Sequence, residues 1–176
     1  MKKLILLAVL FASSLQADFV RVWMGGNISP STDYHLWAFG KHFLPVLPNV
    51  RIEHTQKDGL TNTEVFPYYN FLDNLAWITL DFGLGASQIN DKLEPSVFAR
   101  ARGQMPLTGF GGEVVLKASL FGSDNYQDIL AKLDYTVLDL VLIDIALEVG
   151  YRQSIYGVQD LALKDSQIFI GASARF

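Results

Sequence analysis

Three histidines, His35, His42 and His54, lie within twenty residues of one another and are the first place to look for a metal or a general base. The spacing argues against both. His35 and His42 are seven positions apart, which puts them on opposite faces of a strand, and pairing across the following turn brings His54 near Phe39 and away from either. The same histidines with Ser87 or Ser119 would supply the parts of a hydrolase or acyl-transferase centre, but no local signature accompanies them. Gly109, Gly111 and Gly112 resemble a phosphate loop only superficially, since they follow a hairpin turn and precede a strand. Trp23, Trp37 and Trp77 could serve as ligand platforms, although belts at two membrane interfaces are the better expectation for many of the aromatics. No catalytic, cofactor-binding or metal-ligating residue is expected.

The charged residues carry more information. Arg21, Arg51, Arg100, Arg102, Lys117, Lys132, Arg152 and Arg175 fall on the polar sides of alternating segments, as do Glu53, Asp81, Glu113, Asp134, Asp144 and Glu148. Opposite charges in this number, all on one side of the sheet, imply pairing in a confined space. The expected centre of that network is Arg100, Arg102, Glu113, Lys117, Asp144, Glu148 and Arg152.

The elements that must position these residues are strands. From Leu75 to Ser87, Ala76, Ile78, Leu80, Phe82, Leu84 and Ala86 oppose Trp77, Thr79, Asp81, Gly83, Gly85 and Ser87. At the end of the chain Ile168, Ile170, Ala172, Ala174 and Phe176 share one face; Gln167, Gly171, Ser173 and Arg175 share the other, with Phe169 as the exception. Similar alternation recurs along the chain, giving about ten strands of about ten residues, close to the length a tilted strand needs to cross a bilayer. Expected loops near 29–33, 56–62, 88–94, 122–126 and 156–165 interleave with tighter turns near 44–49, 73–74, 106–109 and 138–141. Long loops on one side and short turns on the other are the asymmetry of an outer-membrane barrel.

Residues 1–17 read as a signal peptide, with Lys2 and Lys3 ahead of an apolar run from Leu4 to Ala12 and cleavage expected after Ala17. Loss of the two lysines lowers the basic count from 14 to 12 against 18 acidic residues, a net charge of −6. That balance gives no electrostatic reason to bind nucleic acid. There is no cysteine, hence no disulfide or thiolate metal site. The expected architecture is all-β: residues 18–176 form a transmembrane, antiparallel, up-and-down barrel, monomeric and without cofactor.

Several segments carry a family resemblance: Leu44 to Thr55 (LPVLPNVRIEHT), Leu72 to Gly85 (LDNLAWITLDFGLG), Pro106 to Gly109 (PLTG) and Val149 to Arg152 (VGYR), before the terminal Phe176. Together they resemble a family of small Gram-negative outer-membrane β-barrel proteins. The resemblance implies fold and outer-membrane location and brings no catalytic or binding residue with it. The last strand likewise resembles the C-terminal signal by which the barrel assembly machinery reads such proteins, with Phe176 as its final residue. Phe19, Phe43, Phe71, Trp77, Phe110, Tyr135 and Phe176 lie near strand ends beside the short turns or a terminus and are expected to form an aromatic girdle. Outer-membrane lipids and the assembly machinery are the expected partners. The leading functional expectation is a structural or surface-interaction role with a lumen plugged by paired charges. A narrow solute pore, a barrel-embedded lipid-modifying enzyme and a soluble secreted barrel binding a small apolar ligand are the alternatives.

Overall fold

The computed structural model describes residues 20–29, 34–42, 46–57, 59–90, 92–120, 126–140, 143–158 and 161–176. The signal-peptide expectation, Phe19 and Phe43 lie outside them. Ten strands follow one another: β1 (Val20–Ile28), β2 (Tyr34–His42), β3 (Asn49–Lys57), β4 (Leu60–Leu75), β5 (Ile78–Ile89), β6 (Lys92–Gln104), β7 (Phe110–Ser119), β8 (Tyr126–Asp139), β9 (Asp144–Val158) and β10 (Leu161–Arg175). Each pairs antiparallel with its neighbours in sequence, and β1 pairs with β10, so the sheet closes into a barrel. No helix among the described residues is long and apolar enough to cross a membrane.

The alternation read from the sequence sets the register. On β7, Glu113, Val115 and Lys117 point inward and are buried, while Val114 and Leu116 point outward and are exposed. A slip of one residue would turn every charged side chain of the strand outward, so the pattern itself enforces the pairing. The seam runs from Trp23 opposite Arg175 to Ile28 opposite Ile170. Beyond it the Phe176 N–H donates to the Val22 carbonyl at 2.9 Å, and the Val22 N–H to the Phe176 carbonyl at 3.3 Å.

Two expectations are corrected. The loops near 56–62, 88–94 and 156–165 are largely strand: Lys57 pairs with Leu60, Ile89 with Lys92 and Val158 with Leu161. In the first of them Lys57 and Asn62 continue the inward face, and Gly59 (φ 79°) and Asn90 (φ 51°) supply the left-handed backbone that two-residue hairpins require. Loop length therefore does not distinguish the two ends of the barrel; chemistry does. Between β2 and β3, β4 and β5, β6 and β7, and β8 and β9, Val46, Leu47, Trp77, Met105, Leu107 and Leu140 are exposed. This end is an apolar rim, whereas Gly59, Asn90 and Lys92 lie exposed at the polar one. The second correction is the β2–β3 register, in which Phe39 faces Arg51 and His54 faces Leu36. The turn is pinned earlier than expected, because the Asn49 side-chain oxygen accepts from the His42 N–H at 2.9 Å.

Inward glycines make room for inward aromatics. A Cβ on Gly150 would lie 2.5 Å from the Phe169 ring, one on Gly25 2.6 Å from Trp37, and one on Gly85 2.9 Å from Phe66. At Gly85 the backbone itself comes close, with the Val65 carbonyl 2.0 Å from the same point. We expect Gly150→Ala to destabilise the barrel by about 1–3 kcal/mol through overpacking. Gly103→Ala, where nothing lies within 4 Å, should leave the equilibrium unfolding midpoint almost unmoved. Equal midpoints for the two variants would contradict this account.

Candidate functional site

The candidate site is the lumen, and its side chains sort into three layers. Toward the apolar rim lie Arg51 of β3, Asp81 of β5, Arg100 and Arg102 of β6, Glu113 of β7, Lys132 and Asp134 of β8 and Glu148 of β9. Arg100 Nε donates to Asp81 at 2.6 Å, Arg102 Nη2 to Asp134 at 2.8 Å and Lys132 Nζ to Glu148 at 2.9 Å. Asp81 also accepts from the Asn70 amide, whose oxygen takes a 2.7 Å bond from Asn49. Glu113 stands among Arg51, Arg100, Arg102 and Lys132 at 3.8, 3.7, 3.5 and 3.8 Å. Four cations meet four carboxylates, and this lattice is neutral.

A second lattice lies toward the polar rim. Lys117 Nζ sits between Glu53 at 3.0 Å, Asp128 at 3.1 Å and Glu64. Arg152 grips Asp128 through two bonds of 2.7 and 3.1 Å, while Ser154 donates to the same carboxylate at 2.7 Å. His35 Nε2 is 2.6 Å from Glu53, and its Nδ1 is 3.3 Å from the Asn27 amide. Ser87 and Tyr126 donate to Glu64 at 3.0 and 3.3 Å. Arg51 joins the lattices, donating from Nε to Glu53 at 2.5 Å while Nη1 faces Glu113.

Between them is an aromatic layer of Trp37, Phe39, Phe66, Tyr68, Phe98 and Phe169, with Val115 and Leu130. Its rings meet the cations face on: Arg100 lies 4.4 Å from the Phe39 centroid, Lys132 4.3 Å from Trp37 and Arg51 5.2 Å from Phe98. Contacts of this kind gain strength when the cation is desolvated.

The residues expected to form one network fall into two. Arg100, Arg102, Glu113 and Glu148 belong to the lattice near the apolar rim; Lys117 and Arg152 belong to the other. Asp144 joins neither and, at the start of β9, pairs with Arg175 at the end of β10. Glu64, Asp128 and His35 were not expected to take part. Asp128 was legible, because counting back by twos from Lys132 passes Leu130 and reaches it. Aromatics outside the expected girdle, Trp37 among them, fill the lumen. Trp23 packs against that layer and stacks on Phe39 at 4.8 Å. Of the expected girdle, Phe71, Trp77, Phe110, Tyr135 and Phe176 are exposed.

The bonds described for His35 go to Asn27 and Glu53, that of His54 goes to Thr63, and those of His42 go to the Asn49–Pro48 turn. Ser87 is held by Glu64 and Ser96. Among the described residues no group of three or more His, Asp or Glu side chains is placed to hold a metal ion. Gly109 occupies a left-handed turn position (φ 73°), and Gly111 lies on β7 beside the Asp134 carboxylate.

No family model matches the chain, and no curated protein matches it. Solved structures similar to it include porins. A KdgM porin shares 10% identity over 89% of this chain and 98% of its own, with a TM-score of 0.48. A KdgM porin in complex with disordered oligogalacturonate shares 11% identity over the same fractions, with a TM-score of 0.49. A NanC porin in a rhombohedral crystal form shares 12% identity over 88% and 98%, with a TM-score of 0.42.

Lys117 serves three carboxylates and is buried, so Lys117→Met should cost about 3–5 kcal/mol of stability. Arg175, whose side chain is 43% exposed beside Asp144, should tolerate alanine within about 1 kcal/mol. Unfolding midpoints of the two variants check the contrast, and a milder effect at Lys117 than at Arg175 would overturn it.

Proposed function

We propose that the protein is a monomeric integral outer-membrane barrel with a closed lumen, acting as a structural or surface-interaction element. The observation that carries this reading is the inversion of the usual order of polarity. Val65, Leu84, Leu116, Leu133, Leu147 and Ile168, on six different strands, are exposed on the outside, while the ionic side chains are buried inside. In water this outer surface would be a large apolar patch; against lipid it is the stable arrangement. Turning the sheet inside out would cost about 2–4 kcal/mol for each Arg or Lys near the bilayer midplane. A few such residues would exceed the roughly 5–15 kcal/mol that holds a typical domain folded.

Paired charge and stacked rings obstruct the lumen, which supports closure over the narrow-pore alternative. Purified wild-type protein in a planar bilayer should show no steady conductance, and a large, steady one would overturn the proposal. Release with the periplasmic fluid, in place of extraction from membranes only by detergent, would also contradict it. The seam supports a role for Phe176 in assembly. Deleting it removes both backbone bonds to Val22 and should lower the amount of barrel assembled in the outer membrane; wild-type amounts would count against that role.

A further inference from the structure

We infer that Glu113 is a tethered anion seated in a site that can take a free one: once its side chain is truncated and the position emptied, Arg51, Arg100, Arg102 and Lys132 bind a small monovalent anion such as formate or chloride. The inference rests on the closed-lumen reading.

Glu113 is held differently from the other lumen carboxylates. Asp81, Asp134, Glu148, Glu53, Glu64 and Asp128 each accept a hydrogen bond of 3.0 Å or shorter. The four cations around Glu113 stand at 3.5 to 3.8 Å, at or beyond the outer limit of a direct hydrogen bond. Among the described residues its Oε1 has no hydrogen-bond partner, and neither do Arg51 Nη1, which faces Oε1, and Arg100 Nη1, which faces Oε2. Those arginines are 2% and 6% exposed. Unpartnered donors and an unpartnered acceptor thus face one another across a gap, attracted but not in contact.

The four cations also have other commitments. Arg100 bonds Asp81, Arg102 bonds Asp134, Lys132 bonds Glu148 and Arg51 bonds Glu53. These pairs survive removal of Glu113, so the ring stays in place with two buried guanidinium nitrogens directed at the emptied position. Around the emptied position four cations then face the three carboxylates Asp81, Asp134 and Glu148, a local excess of positive charge that Glu53 offsets only through its bond to Arg51. A small anion there offsets that excess and can accept from those nitrogens, and being untethered it can move into hydrogen-bonding distance.

The test is the thermal midpoint of Glu113→Ala in detergent, measured at constant ionic strength in sodium gluconate with increasing formate or chloride. The variant should melt below wild type in gluconate, with formate or chloride recovering at least half of the loss along a saturable curve. Wild type and Glu113→Gln, whose sites remain filled, should not respond. If Glu113→Ala does not refold in gluconate, refolding yield with and without formate gives the same readout, and Glu113→Ser provides a second, smaller truncation. No anion dependence in either truncated variant overturns the inference, as does an equal response in wild type, which would be a general salt effect. A large wild-type conductance would overturn the closed-lumen proposal instead, so the two failures are distinguishable.

Discussion

A sheet that closes on itself has an inside, and with ten strands that inside is narrow. Ionic side chains pointing into it are largely shielded from water, so each must be neutralised by another side chain. Much of the molecule follows from this requirement. Arg51 bonds Glu53 and turns its remaining nitrogen to Glu113, coupling two lattices that would otherwise be separated by the aromatic layer. The cations lie over ring faces, where the π quadrupole adds to the pairing. Glycines at 25, 85 and 150 give up their own side-chain packing so that Trp37, Phe66 and Phe169 can occupy the same space.

The fold was legible because the rule that writes it is simple. Stretches such as Ile78 to Ser87 display a two-residue period that neither a helix nor a loop would sustain, and the even number of strands follows from counting them. Boundaries were less legible for a physical reason. In a water-soluble protein, polar residues near a strand end signal solvent and a loop. Here Lys57, Asn62, Ser87 and Ser96 are polar because they face the lumen, so the strands run further than polarity suggests. The same ambiguity hid Glu64. The aromatics misled in the opposite direction: a large ring suits both a membrane interface and a crowded interior, and strand parity would place Trp77 with Asp81 on the inward face, whereas it sits exposed in the turn between β4 and β5.

The two rims show how little loop length says about orientation in a barrel this compact. At the apolar rim the hairpin at Ala76 and Trp77 holds both residues left-handed, at φ 51° and 65°, without the Asn or Gly that such turns favour. Each costs about 1–2 kcal/mol relative to a relaxed backbone. The result is a tryptophan at the apex, exposed beside Leu75 and Ile78. Backbone strain is accepted there to place an amphipathic ring at the edge of the apolar surface.

The seam between β1 and β10 has a consequence for how the molecule comes into being. The strands that join there lie at opposite ends of the chain, so closure is the contact of greatest sequence separation and carries the largest entropic delay. Until it forms, the intermediate is an open sheet with two raw edges and a half-assembled set of buried charges, none of it compatible with lipid. Closure is therefore gated by topology: the sheet keeps two unpaired edges until its first and last strands meet.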